Sequence, residues 1–234
     1  GSDWHLHHNG QEGFYLESAA TIVDGLDLHN NVDSGVHIDD ARYVFLSNLT
    51  SSLNGDAGLE FNRANDIESS SGDVRCTNCS SNGDNRGVVA IDSVDIYLED
   101  LEIYDPVTGP AISINNSGLD IGVQGGMFHL NNVKAWINHS GPAIDITGAE
   151  GEIDGLDIYG AHEGIVWDAD HNVERTSILS NANFSGTGCL ALSNHDQLSG
   201  QGNRITNDCT GNLTFTNVEL NWSGLADLGT HVFD

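Results

Sequence analysis

Short runs in which every second residue is apolar recur along the whole chain, each opening just after a glycine. They read GFYLES from Gly13, GVHIDD from Gly35, GLEFNR from Gly58, GVVAID from Gly87 and GPAISIN from Gly109. They continue as GPAIDIT from Gly141, GIVWDA from Gly164, GCLALS from Gly188, GNLTFT from Gly211 and a shorter GTHVFD from Gly229. The steps between these glycines are 22, 23, 29, 22, 32, 23, 24, 23 and 18 residues, so the period is near 23 with two insertions. Apolar–polar alternation is the signature of a half-buried strand. A second alternating segment lies between the glycines: Asp24-Gly25-Leu26-Asp27-Leu28-His29 is echoed by Glu99-Asp100-Leu101-Glu102-Ile103-Tyr104 and by Asp154-Gly155-Leu156-Asp157-Ile158-Tyr159. Asn, Ser, Gly and Asp fill the intervals, as turns require. No stretch keeps a 3.6-residue apolar period, so the chain is predicted to be all-β.

A short strand with two or three apolar residues cannot close a core alone. Stacked as coils about 4.8 Å apart, such strands bury one continuous apolar column. The inward pairs are Phe14/Leu16, Val36/Ile38 and Leu59/Phe61 in the early coils, then Ile112/Ile114 and Ile144/Ile146, then Leu190/Leu192 and Leu213/Phe215. The pair drifts relative to its glycine, as expected if the glycine marks a turn of variable length. This pattern resembles the right-handed parallel β-helix repeat family, which includes pectate-lyase-like enzymes, surface proteins and periplasmic copper-processing proteins. The resemblance implies a solenoid of about nine coils. It is expected over residues 13–234 as a single domain, preceded by an N-terminal segment of residues 1–12. No amphipathic capping helix is visible at either end. The ends are therefore read either as loop-capped or excised, or as surfaces that pair with neighbouring molecules.

Charge narrows the partners. The 234 residues carry 35 acidic and 7 basic side chains, a formal charge of −28, and Lys134 is the one lysine. A surface of that sign lacks the basic face needed for nucleic acid or anionic membranes. No apolar run is long enough for a transmembrane helix, and the opening GSDWHLHHNG has no signal-peptide core. Two settings explain the acidity: concentrated salt, as for an archaeon or another salt-adapted microbe, or calcium held by carboxylates.

Candidate chemistry is scattered. Four cysteines are read as two disulfides, Cys76–Cys79 and Cys189–Cys209, with a redox or metal role for the Cys76-Thr77-Asn78-Cys79 motif as the alternative. Seven sequons stand at Asn48, Asn78, Asn115, Asn138, Asn183, Asn212 and Asn221, which fits a glycosylated surface protein. His5, His7 and His8 cluster beside Asp3 and are weak candidates for zinc or copper. Glu17, Asp39, Asn62, Asp145 and Asp168 all stand four residues after a repeat glycine. They are read as outward acidic columns, interrupted between Asn62 and Asp145, whose repulsion calcium or high salt would quiet. The stretch Val166-Trp167-Asp168-Ala169-Asp170-His171 faintly resembles the Val-Trp-x-Asp-His stretch of pectate lyases. That makes Asp168, Asp170 and His171 weak catalytic candidates. It carries one extra residue and no Arg-rich partner, since Arg175 and Arg204 stand alone.

The resulting expectation is a non-catalytic extracellular or cell-surface structural protein that self-assembles through its coil ends into a filament, tube or layer. It needs no cofactor beyond a role for calcium. A carbohydrate-binding or adhesin module with Trp136, Trp167 or Trp222 as sugar platforms is the second reading. A polysaccharide lyase or hydrolase of the β-helix type is the third.

Overall fold

The computed structural model describes residues 4–18, 20–64, 74–93, 95–116, 127–160 and 163–168, together with strand backbone within 176–227. The chain alternates between two sheets in which every pairing is parallel and each strand's neighbours lie one coil away. One sheet has nine strands, from Phe14–Glu17 to Thr214–Thr216. The other is built from long strands such as Val44–Ser52, Ile96–Tyr104, Met127–Trp136 and Glu150–Tyr159. This is a parallel β-helix, with no helical segment among the described residues. The drift in the repeat is real. Leu59 is level with Val88, Val88 with Ile112, and Ile112 with Ile144, although their distances from the preceding glycine differ. Ahead of the first repeat glycine, Trp4–His7 pairs in register with Leu26–His29 and so adds a strand to the second sheet.

Each long strand is two strands meeting at a corner. Its inward side is Val44 and Leu46, then Leu49 and Ser51, so two consecutive residues, Ser47 and Asn48, face out and the alternation slips by one. The slip occurs where Asn48 takes a left-handed backbone, φ 51°. Gly25 (73°), Asp100 (53°), Asn132 (50°) and Gly155 (76°) do the same in their own coils. Gly, Asn and Asp are the residues that enter that region at least cost. The local signature is apolar, any, Asn/Asp/Gly, apolar: Leu46 to Leu49, Leu98 to Leu101, Leu130 to Val133 and Ile153 to Leu156. In one coil the flanking apolar pair is replaced by Cys76 and Cys79, level with Leu46 and Leu49. Both are buried and joined by the predicted disulfide. The reading of Cys76-x-x-Cys79 as a redox or metal motif gives way to a covalent corner. The second predicted pair, Cys189–Cys209, lies outside the described residues.

The repeat glycines have a different role from the one their sequence suggests. Gly35 and Gly58 are not left-handed turn residues. They stand where a polar ladder passes through the interior. A Cβ on Gly58 would lie 2.6 Å from Ser81 Oγ and 2.8 Å from Asp84 Oδ2, and one on Gly13 would lie 2.7 Å from Asn31 Nδ2. The ladder is Asn9–Asn31–Asn54–Asp84. Asn31 Oδ1 accepts from Asn9 N and Nδ2 at 3.1 and 3.0 Å, and Asn54 Oδ1 accepts from Asn31 N and Nδ2 at 3.0 and 2.9 Å. Asp84 Oδ1 accepts from Asn54 N and Nδ2 at 2.7 and 2.9 Å, while Ser81 Oγ donates to its other oxygen at 2.8 Å.

Asp84 is the one acid in this ladder, and it is fully buried. Burial pushes its carboxyl above the ordinary value of 3.8, against the opposing bonds from Asn54 and Ser81. A carboxyl that binds its proton more tightly folded than unfolded favours folding most below its unfolded pKa. That advantage fades as pH rises through the folded value. Asp84→Asn would carry no charge, and its amide would meet Ser81 Oγ as Asn54 Nδ2 meets Ser51 Oγ at 2.8 Å. The variant is expected to be more stable than the parent near neutral pH and to converge with it below about pH 4. Urea midpoints across that range check it. A stability difference that is constant with pH removes the assignment of a charged, buried Asp84.

Candidate functional site

The predicted acidic column is only partly formed. Strand register places Glu17, Asp39, Asn62, Ile91, Asn115, Thr147 and Asp168 in one outward line. Asp145 falls on the neighbouring line, level with Ser113 and Val166. The reason is the two-residue drift: Pro142 and Ala143 separate Gly141 from the strand's first inward pair, so a count of four from the glycine lands elsewhere. Repulsion is relieved from within the chain. Arg63 Nε and Nη2 lie 2.7 and 2.9 Å from the two oxygens of Asp40, and Nη2 is 3.0 Å from Asp39. The guanidinium bond holds the Asp40 carboxyl below the ordinary range.

The N-terminal histidines form stacks. His7 lies flat on His29 with centroids 4.7 Å apart, His8 stands edge-on to His7 with facing Nδ1 atoms 2.8 Å apart, and His5 pairs with Asp27 at 2.8 Å. Among the described residues no group of three or more His, Cys, Asp or Glu side chains is arranged to hold a metal ion. Of the catalytic candidates, Asp168 is half-buried at the end of strand Glu163–Asp168, while Asp170 and His171 lie outside the described residues. Three sequon asparagines, Asn48, Asn115 and Asn138, are exposed. Asn48 Nδ2 donates to Asp24 at 2.6 Å. The side chains of Asn78, Asn183, Asn212 and Asn221 lie outside those described.

The aromatic expectation needs correction. Trp167 is a core residue, 0% exposed, with Nε1 donating to Ala149 O at 2.9 Å. Trp136 is half-buried between Tyr104 and Tyr159, centroids 4.4 and 5.4 Å away and interplanar angles 6° and 16°. Its two faces are covered by those rings, so it offers solvent an edge and no platform. Trp222 lies in a strand whose side chains are outside those described.

What the sequence reading did not bring together is a polar groove of about 490 Å3 on the outer side of the corner. Thr50, Ser80, Glu102 and Lys134 are level with one another on four successive coils and form one wall, and the corner residues Asn48, Asp100 and Asn132 form the other. The buried Leu49 and Cys79 make the floor. Charges inside it are cross-linked. Lys134 Nζ is 3.8 Å from Glu102 Oε1, Tyr104 Oη donates to Glu102 Oε2 at 2.8 Å, and Asn132 Nδ2 donates to Asp100 Oδ1 at 2.6 Å. The bond to Glu102 raises the Tyr104 hydroxyl above its ordinary value. The corner signature would have exposed this groove, because it marks which residues line up outside the bend.

With parallel coils, αL corners in the long strands at Asn48, Asp100, Asn132 and Gly155 and an apolar inner column among the described residues, one comparison is decisive. The model of the right-handed β-helix region matches residues 4–125, just over half of the chain. The chain belongs to the right-handed β-helix family. No curated protein and no solved structure matches it. The matched residues include three of the four coils whose side chains form the groove's first wall, Thr50 to Glu102. This β-helix continues its two sheets past the matched segment, through Thr176–Ser185 and beyond.

Proposed function

We propose that this β-helix is a non-catalytic structural module of an extracellular or cell-surface protein. What supports the reading is the use its outer carboxylates are put to: they tie one coil to the next. Asp24 accepts from Ser47 and Asn48 of the following coil, which holds its carboxyl below the ordinary range. Asp40 is tied to Arg63, Asp56 to Arg86, Asp100 to Asn132 and Glu102 to Lys134, each across one coil. General acid catalysis asks for a carboxyl within reach of the reacting atom and shifted upward towards working pH. Asp24 and Asp40 are shifted the other way. The acid-rich exterior instead keeps rods apart until salt or divalent cations screen it. Association of rods into filaments, tubes or layers is therefore proposed to require molar salt or millimolar calcium.

Two measurements test this. Incubation with neutral and acidic polysaccharides is expected to release no products, and electron microscopy across salt and calcium is expected to show ordered assemblies. Product release that disappears in Asp168→Ala overturns the non-catalytic reading. Dispersed rods under every condition overturn the assembly.

A further inference from the structure

On the first coil two imidazole nitrogens converge on one point. His7 Nδ1 and His8 Nδ1 lie 2.8 Å apart, and both residues are exposed. Backbone geometry places them there. His7 ends the strand Trp4–His7, level with His29, and its ring lies flat on the His29 ring. A regular strand would send the next side chain to the opposite face. His8 instead takes a left-handed backbone, φ 55°, and its N–H donates to His29 O at 3.3 Å. Its ring consequently stands edge-on to His7, at 84°, with the two Nδ1 atoms facing each other. Both residues are thereby anchored on the second coil. His29 is not part of the pair, because its ring is parallel to His7 and its Nδ1 takes the Asn30 amide at 2.8 Å.

As neutral rings, one Nδ1 carries a proton and the other accepts it. A divalent metal ion can take the place of that proton. Both rings then bear their N–H at Nε2 and present a bare Nδ1, with no net proton released. Spacing selects the coordination geometry. Two nitrogens each about 2.05 Å from a metal are about 2.9 Å apart at a right angle, and about 3.3 Å apart at the tetrahedral angle. The observed 2.8 Å fits adjacent corners of a tetragonal site, the geometry of Cu(II) and Ni(II) and not of four-coordinate zinc. Local charge favours a cation. Asp27, paired with His5 at 2.8 Å, stands on the same outward face, on a chain of charge −28.

We propose that His7 and His8 chelate Cu(II) through their Nδ1 atoms, with water completing the coordination. This site goes beyond the structural role and does not depend on it. The test is titration of the full chain with copper sulfate, followed by calorimetry and by electron paramagnetic resonance. A single equivalent is expected, with nitrogen couplings from two imidazoles. His7→Gln and His8→Gln are each expected to weaken it at least about tenfold, a loss that removal of even an outer-shell partner can bring. Both residues are exposed, so without copper the variants are expected to melt with the parent. His5→Gln, whose ring is tied to Asp27 instead, is expected to leave binding unchanged. Copper is expected to raise the melting midpoint of the parent and not of the two variants, since it binds the folded pair. Copper outranks zinc at most nitrogen sites, so the number of bound nitrogens decides. Binding unchanged in either variant, couplings from other than two nitrogens, or several equivalents spread over the eleven histidines overturns the proposal.

Discussion

Asn54→Ala is expected to cost about 3–5 kcal/mol, because it breaks the interior ladder beside a buried carboxylate. Asn54 is fully engaged. Its oxygen accepts from Asn31 N and Nδ2, and its Nδ2 donates to Leu28 O, Ser51 Oγ and Asp84 Oδ1 at 3.2, 2.8 and 2.9 Å. An alanine leaves the Asn31 donors without their acceptor in a dry interior and takes a donor from Asp84. The volume removed is small, so packing alone would predict a much milder change. Asn54→Asp separates the two causes. It keeps the volume but sets a second carboxyl facing Asp84, so its stability is expected to fall at neutral pH and recover as both acids protonate. Urea denaturation of the two variants at neutral and acid pH is the measurement. A loss under about 1 kcal/mol for Asn54→Ala, or no acid recovery for Asn54→Asp, would show that the ladder contributes little.

The ladder is also where sequence reading stopped short. Asn31, Asn54 and Asp84 sit in stretches rich in Asn, Asp and Gly, which look like solvated turns. Their signal is spacing. A glycine follows each of Asn9, Asn31 and Asn54 by four residues, because the next coil's ladder side chain fills the space a Cβ would take. The coils themselves were legible because one buried face imposes a strict period of two, and the inward pairs from Phe14/Leu16 to Ile144/Ile146 follow from that alone. The corner was hidden inside an apparently continuous alternation, since Leu98-Glu99-Asp100-Leu101 differs from a straight strand by one extra outward residue. The groove was hidden for a different reason. Its wall is assembled from residues 22 to 32 positions apart, and the drift between glycine and strand defeats any count from the glycine, as Asp145 shows.

Trp167→Ala is expected to cost about 3–5 kcal/mol, the range for deleting a large buried aromatic. Among the described residues Trp167 is the largest fully buried side chain, and its strand register sets it level with Ile146 on one side and Leu192 on the other. Its ring meets Phe128 at 5.3 Å and 57°, a tilted contact worth about 0.5–1.5 kcal/mol beyond burial. Gly151, beside Phe128, has no side chain to move into the gap, since the space a Cβ would take is held by the Phe128 ring 2.6 Å away. Removing the indole also leaves Ala149 O without the Nε1 donor at 2.9 Å. Trp167→Phe keeps most of the packing and loses that hydrogen bond, so it is expected to restore more than half of the stability. Trp136→Ala is the contrast, because its ring lies in an outer stack and its loss opens a groove that water can fill. The three variants are compared by thermal and urea denaturation. Equal losses at Trp136 and Trp167 would mean that the outer aromatic stack stabilises the coils as strongly as the core does, and the division between a load-carrying interior and a surface available for ligands would then fail.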